Sequence, residues 1–281
     1  MNYRHAYHAG NAGDVLKHLV LLAVLEALQR KDKPLFYLDT HAGRGVYDLG
    51  SEAARRSNEA AGGIFALAAA AELPPLPQRY LALVGSFNPE DGLKTYPGSP
   101  ALAAAVLRPG DAAALCELQP QEAAALRRLF AGDDRVAVHE RDGYEALRGL
   151  LPPRQGRGLV LIDPPYERRE AEYDLVVEAL ALAGERWPQG CLAAWYPIKR
   201  QEDADRFVAR VAASGRDAVL KVELTHRPAD NRAGLNGSGM IVVNAPWQLD
   251  QELERTLPAA HTALAPTGAG AARVEWMVPP R

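Results

Sequence analysis

Cysteine is scarce in this chain: Cys116 and Cys191 are the only two among 281 residues. Both sit in apolar, strand-like runs. Two such thiols make neither a disulfide framework nor a metal-ligand set, and they suit a reducing compartment. Long apolar runs are also missing. No stretch of about 18 uncharged apolar residues is present, so no membrane-spanning helix is expected. No basic, apolar and small-residue leader opens the chain, and a soluble, cytoplasmic protein is the expectation. Positive charge is not in excess, with 32 Lys and Arg against 35 Asp and Glu and a formal charge of −3. That excludes a surface that grips a polyanion everywhere, though not a local basic patch. What is plentiful is core-forming material, at 48% hydrophobic residues. Without repeats or a clear linker, the chain reads as a single domain over residues 1–281, with an insertion over 50–95 and an amino-terminal arm over 1–13.

The most informative stretch is Leu159–Glu167, Leu-Val-Leu-Ile-Asp-Pro-Pro-Tyr-Glu. Four apolar residues in a row fit a strand buried on both faces. The two prolines cannot continue it, because they have no N–H for a ladder and restrict the residue before them. Asp163 therefore falls at the carboxyl edge of a sheet, where open α/β sheets bind ligands. A stiff turn after a core strand would call for the same prolines. The groups carried there suit a flat ring with an amino group. Asp163 and the Pro164 carbonyl can each accept an N–H, and Tyr166 can stack on the ring. The D-P-P-Y sequence resembles the motif of S-adenosylmethionine-dependent amino-methyltransferases.

In chain order, Met1–Gly13 reads as an aromatic and basic arm. A helix is expected from an N-cap at Asp14 to about Arg30, its apolar face wide enough for near-complete burial. Lys17 and His18 fall in its first turn, within reach of whatever the arm touches. His5, His8 and His18 match no zinc-ligand spacing, and His5 and His8 lie on a segment read as unanchored, so no metal is expected. Leu35–Thr40 is the first strand. The glycine turn after it, through Gly43 and Gly45, lacks the last glycine of the dinucleotide fingerprint, Asp48 standing in its place, which disfavours a dehydrogenase. Its acid followed by A-G-x-G resembles the cofactor turn of class I methyltransferases.

Residues 50–95 break the alternation of strand and helix and read as a small helical insertion, either a stabilising lid or a substrate-recognition element. Ser99-Pro100 reads as an N-cap and first helical residue, at a helix terminus suited to a ligand carboxylate. Ala112–Glu117 is the second strand, ending in an acid placed to accept ribose hydroxyls. After the third strand, Val136–Glu140, Asp142 can meet an adenine amino group. Arg168 and Arg169 put positive charge beside the pocket. Strands at Cys191–Tyr196, Leu220–Thr225 and Met240–Asn244 follow, then an edge strand at Arg273–Val278. Arg227 and Arg232 mark a flexible turn between the last two sheet strands before it. Asn244-Ala-Pro-Trp247 echoes the amino-methyltransferase motif, but Ala245 breaks it and the position after the fourth strand is already taken.

Six blocks together resemble the ribosomal RNA large subunit methyltransferase J family: Tyr3–Asn11, Asp14–His18, Tyr37–Gly43, Tyr96–Pro100, Asp163–Glu167 and Asn236–Met240. The resemblance covers nearly the whole chain. It implies an α/β, Rossmann-like class I S-adenosylmethionine-dependent methyltransferase fold, with a seven-stranded, mostly parallel sheet and a small inserted helical subdomain. It implies methylation of adenine N6 in 23S rRNA, protein-free or early in assembly, by a monomer that uses no metal. It implies that S-adenosylmethionine is contacted by His18, His41, Ser99, Glu117, Asp142, Gly143 and Asp163, that Asp163 accepts the proton, and that Tyr3 meets the substrate. Pro164, Tyr166 and Lys17 are further substrate-side candidates. The residues alone leave open a DNA adenine methyltransferase, a protein-glutamine methyltransferase (which usually has Asn where this chain has Asp163) and a non-catalytic RNA-binding protein.

Overall fold

A computed structural model describes residues 5–281 apart from positions 91, 168, 169, 229, 230, 232 and 233. Tyr3, Arg168, Arg169 and Arg232 therefore lie outside the described residues. Strand β1, Phe36–Asp39, occupies the middle of the main sheet, flanked in parallel by β4, Ala112–Glu117, and β6, Gly158–Ile162. Outside β4 runs β5, Val136–Glu140, and outside β6 runs β7, Cys191–Ile198, both also parallel. Strand β9, Gly237–Val243, then enters antiparallel between β7 and β8, Val219–Thr225. This is the class I methyltransferase arrangement, with one reversed strand inserted next to the sheet's last parallel one. Among the described residues the sheet has eight strands rather than the expected seven, because β10, Ala272–Val278, pairs antiparallel with β8 at the edge. Its burial alternates along the strand, as one solvated face requires.

The apolar runs follow from helices on both faces. In β6, Leu159 and Leu161 point into one apolar cluster, while Val160 and Ile162 point into the other. The first face is covered by α1, Ala12–Gln29, and α10, Leu249–Leu264. The second carries α7, Gly143–Leu150, α8, Glu170–Arg186, and α9, Gln201–Ala212. Helix α1 is buried from Ala12 to Leu25, as its wide apolar face requires. Each fully buried leucine in it, such as Leu16, Leu19 or Leu22, contributes about 1.5–3 kcal/mol. The helix starts two residues before the expected Asp14. Asn11 is the N-cap, and its side chain accepts the Asp14 N–H at 2.9 Å. That leaves the Asp14 carboxylate free for other work.

Residues 46–97 form a clasped insertion. Strands β2, Val46–Asp48, and β3, Thr95–Pro97, pair antiparallel and close its base. Between them lie α2, Glu52–Ser57, a 3-10 turn at Glu59–Gly62, α3, Ile64–Ala68, and α4, Pro75–Ser86. Ile64, Leu67, Tyr80 and Val84 are fully buried in the same cluster as α1, so the insertion shares the main core.

The described part of the amino-terminal segment is anchored, contrary to expectation. His5 meets Asp14 at 3.1 Å, His8 meets Glu59 of the insertion at 3.0 Å, and Ile64 N–H donates to the Gly10 carbonyl at 2.8 Å. The close approach of Gly63 to the Gly10 carbonyl leaves no room for a Cβ at Gly63. Helix α6, Pro120–Leu129, leads from β4 to β5, and α5, Ser99–Val106, leads from β3 to β4.

Candidate active site

Parallel strands in register end together, and here they end in acids. Asp39 pairs with Leu115 and Leu161, and Glu117 pairs with Glu140, so the loops after β1, β4, β5 and β6 open on one edge. A groove of about 2980 Å³ runs along it. That exceeds the roughly 300–1,000 Å³ of a small-molecule pocket, leaving room for a nucleotide beside a cofactor. Its walls include Lys17, His41, Ser99, Glu117, Asp142, Gly143, Asp163, Pro164 and Tyr166. His18 does not line it.

The turn after β1 is built around Asp39, which sequence reasoning treated only as the acid before the glycine turn. The carboxylate is fully buried and accepts from Ser99 Oγ at 2.7 Å, Tyr37 Oη at 2.7 Å and the His41 N–H at 3.2 Å. Burial nevertheless holds its pKa above the ordinary aspartate value. Ser99 is the first residue of α5 rather than its cap, a place taken by Gly98. Its hydroxyl serves the buried acid instead of the helix terminus.

Glu117 closes the other side of the glycine turn. One oxygen accepts the Gly43 N–H at 2.8 Å and the other the Gln119 N–H at 2.6 Å. Burial raises its pKa. Asp142 caps α7, its Oδ1 accepting from the Tyr144 N–H at 2.8 Å and the Glu145 N–H at 3.1 Å. Gly143 has a packing reason to be glycine: a Cβ there would come within 1.9 Å of the Thr40 carbonyl oxygen. The loop after β5 is pressed against the end of β1, which brings Asp142 beside the glycine turn. A nucleoside with its amino group toward Asp142 and its sugar toward Glu117 fits this set of acceptors.

Asp163 stands where β6 stops. Its Oδ2 accepts from Lys17 Nζ at 2.6 Å, and Lys17 donates also to Asp14 Oδ1 at 2.7 Å. Lys17 was expected on the substrate side. The structure buries it, 6% exposed, between two carboxylates, so its ammonium is spent on holding them. Burial disfavours that charge, but Asp14 and Asp163 outweigh it and hold the Lys17 pKa well above the ordinary lysine value. Burial likewise opposes the Asp14 charge, but Lys17 and His5 outweigh it and hold Asp14 well below the carboxylate range. Among the described residues, nothing donates to Asp163 Oδ1 or to the Pro164 carbonyl. Two acceptors thus remain available at the turn.

Tyr166 follows with φ at +51°, a left-handed conformation that is costly for a bulky residue. Its hydroxyl donates to the Trp195 carbonyl at 2.8 Å, and its ring meets Tyr173 and Trp195 edge-on at 5.1 and 5.7 Å between centroids. The ring expected as a free stacking plate is fixed in an aromatic wall. Trp195 and Tyr173 belong to that wall and were not anticipated, because nothing in their local sequence separates them from core aromatics.

His41 lines the groove, its Nδ1 2.8 Å from Thr40 Oγ1. Burial lowers its pKa to about 4. His18 is fully buried behind Lys17, its Nδ1 2.9 Å from Tyr96 Oη, which lies 2.7 Å from Tyr80 Oη of the insertion. Burial lowers its pKa to about 3, and its Nε2 is buried without a partner among the described residues. No group of three or more metal-ligating side chains occurs among the described residues.

Comparison with known proteins agrees with this geometry. The family model described as ribosomal RNA large subunit methyltransferase D, RlmJ, matches residues 32–278. A protein of Escherichia coli K12 named ribosomal RNA large subunit methyltransferase J is 43% identical over 279 residues, 99% of each chain. Its namesake from Haemophilus influenzae is 41% identical over 280 residues, again 99% of each. A crystal structure of a Legionella pneumophila protein superposes with a TM-score of 0.88 at 35% identity, covering 96% of this chain and 98% of that one. With an edge of strand-end acids around one groove, and a match over nearly its whole length, the chain belongs to the ribosomal RNA large subunit methyltransferase family described as RlmJ.

Proposed function

We propose that this protein transfers the methyl group of S-adenosylmethionine to N6 of an adenine in 23S rRNA, with Asp163 as proton acceptor. One observation carries the reading: Asp163 follows β6 with one oxygen fixed on Lys17 and, among the described residues, no donor to its other oxygen or to the adjoining Pro164 carbonyl. An exocyclic amino group has two N–H bonds to give, and this turn offers it two acceptors.

When bound, S-adenosylmethionine supplies an electrophilic sulfonium methyl group. Glu117 and Asp142 suit its ribose hydroxyls and adenine amino group, and the groove suits its positive charge. Eleven Asp and Glu line that groove against six Lys and Arg among the described residues. His18 Nε2 is a buried polar atom without a partner among the described residues, and a cofactor carboxylate would supply one. His41 and Ser99 line the groove.

The adenine N6 lone pair is delocalised into its ring, so it is a poor nucleophile. Hydrogen bonds from N6 to Asp163 and to the Pro164 carbonyl orient that lone pair toward the methyl donor. The ammonium-like product is strongly acidic, and the unpartnered Asp163 oxygen takes its proton. The target base must leave its stack, at a cost of a few kcal/mol that is least in a loop or single strand. Stacking against the wall of Tyr166 and Trp195 offsets part of this, by about 1–3 kcal/mol per base. Tyr3, outside the described residues, is the candidate to cover the base from the amino terminus. An aspartate at 163, where asparagine would suit an amide substrate, supports a nucleobase over a protein glutamine.

The test is methyl transfer from labelled S-adenosylmethionine to unmodified, protein-free 23S rRNA, followed by nucleoside mass spectrometry. N6-methyladenosine at one site is the expected result. Label in cytosine, in ribose or in protein would overturn the assignment.

A further inference from the structure

The Asn244-Ala-Pro-Trp247 segment takes no part in the site. Strand β9 is antiparallel to β7, and Val243 pairs with Leu192 near the start of β7. Asn244 onward therefore lies at the opposite, amino-terminal edge of the sheet. The loop is pinned there. Asn244, at φ +52°, donates its side-chain amide to the Pro188 carbonyl at 2.8 Å and the Gly190 carbonyl at 2.9 Å. Ala245 N–H donates to the Ala218 carbonyl at 3.1 Å, and Leu249 N–H to the Pro246 carbonyl at 3.1 Å. Between these ties stands Trp247, 77% exposed. A large aromatic ring is held out in solvent on an ordered loop.

Arg30 ties this loop to the basic segment that follows α1. Arg30 reaches the Trp247 carbonyl at 3.3 Å and Gln248 Oε1 at 3.4 Å. Arg108 donates to the carbonyls of Gln29, Lys31 and Lys33, and Arg157 to those of Leu28 and Lys33. These two arginines have a structural task, since they satisfy carbonyls at and just beyond the end of α1. Lys31 and Lys33 have none: both are exposed and, among the described residues, neither has an ion-pair partner. Acids stand here too: Asp32 and Asp111, the latter taken by Arg108 and the Leu35 N–H, and Asp250, three residues after Trp247, which accepts the Trp276 Nε1–H at 3.0 Å.

Among the described residues, the opposite edge offers phosphates little free positive charge. Of the six Lys and Arg described along the groove, all but Lys199 are ion-paired: Lys17 with Asp14 and Asp163, Arg44 with Glu122, Arg200 and Arg206 with Asp203, Arg210 with Asp174. A groove richer in acids than bases suits a cationic cofactor and repels an RNA backbone. With a net charge of −3 overall, affinity for RNA must come from a local cationic surface.

We propose that the amino edge is a second RNA-contact surface. Trp247 stacks on an unpaired base, and Lys31 and Lys33 meet the adjoining phosphates, in an RNA segment distinct from the one that holds the methylated adenine. An aromatic plate beside unpaired cations is the combination that single-stranded nucleic acid uses. The inference rests on the reading of 23S rRNA as substrate.

The test compares Trp247→Ala, Trp247→Phe and the double variant Lys31→Gln/Lys33→Gln with the unaltered protein, by filter binding across a salt series. The probes are protein-free 23S rRNA and a short stem-loop fragment that the enzyme still methylates. Trp247→Ala should weaken 23S rRNA binding roughly 5- to 100-fold, and Trp247→Phe far less. The lysine variant should reduce the slope of log Kd against log salt by about one to two. Binding and methylation of the short fragment should stay unchanged for all three. Unaltered 23S rRNA affinity in Trp247→Ala would overturn the proposal. So would equal losses on both RNAs, or a change confined to self-association by sedimentation. If the unaltered protein bound 23S rRNA but transferred no methyl group to adenine, the proposed reaction would fall, while the 23S rRNA binding of the variants would still decide whether Trp247 and the two lysines contact RNA.

Discussion

At the scale of single residues, the site depends on how Asp163 is held. Replacing Asp163 with Asn keeps the shape and most of the hydrogen bonding but removes the proposed proton acceptor. Asp163→Asn should therefore lose most single-turnover methylation while S-adenosylmethionine still binds within a few-fold by calorimetry. Turnover equal to the unaltered protein would sink the acceptor role. Lys17→Met makes a different prediction, because it leaves the buried Asp14 carboxylate and the half-buried Asp163 carboxylate without the cation between them. Removing one partner of a buried pair costs about 3–5 kcal/mol, so urea unfolding should show a loss of that order together with loss of turnover. Near-normal stability would show that the ammonium is not what holds Asp14 and Asp163 together. Part of this arrangement is legible in the sequence. Asp163, Glu117 and Asp142 can be found because prolines, glycines and strand ends advertise the edge of a sheet. The Lys17 contact cannot, since its two partners are 146 residues apart and meet only through tertiary packing. Nor can the fixing of Tyr166 by Trp195, 29 residues on, or the roles of His18 and His41, which came from family resemblance alone.

At the scale of elements, the strands were the clearest part of the sequence, because a strand buried on both faces writes itself as an unbroken apolar run. Helix α7 left no comparable signal; its eight residues are amphipathic and bury only Gly143, Ala146 and Leu147. The clasp of β2 and β3 was equally hidden, being three residues each and closed across the whole insertion. The start of α1 was misplaced because Asn11 and Asp14 are both good caps, and only the fold shows which one turns its side chain back. Gly143 joins two of these elements, β5 with its loop and the end of β1. Gly143→Ala places a Cβ against the Thr40 carbonyl and must push the loop outward. Overpacking of this kind costs about 1–3 kcal/mol. Because the displaced residue beside it is Asp142, cofactor affinity should fall as well, by tenfold or more. A thermal shift without any loss of cofactor affinity would separate Gly143 from the site.

At the scale of the whole molecule, charge and burial set how the protein responds to its solution. His18 is fully buried, and its pKa is lowered to about 3 from an ordinary value near 6.5. The unfolded chain thus takes up a proton there below about pH 6.5 that the folded chain refuses until about pH 3. Stability from this group is complete above pH 6.5 and drains away as pH falls, by up to about 1.4 kcal/mol per pH unit. His8 works the other way, its pKa raised mainly by its hydrogen bond to Glu59, so comparison with a His18→Gln variant isolates the buried group. The stability gap between the two proteins should shrink by about 2 kcal/mol from pH 7 to pH 5; a constant gap would mean that His18 titrates alike in the folded and unfolded chains. The groove gives a second long-range effect. Its lining holds five more carboxylates than Lys and Arg among the described residues, so it draws in a cation before any contact forms. S-adenosylmethionine carries the sulfonium charge, whereas S-adenosylhomocysteine, which lacks the sulfonium methyl group, does not. Raising salt from about 0.1 to 1 M shortens the screening length from about 10 to 3 Å. The affinity for S-adenosylmethionine should fall several-fold over that range and that for S-adenosylhomocysteine hardly at all. Titration calorimetry of both ligands at the two salt concentrations decides it. Parallel changes would mean that contacts common to both ligands, and not the field of the groove, govern how the cofactor is recognised.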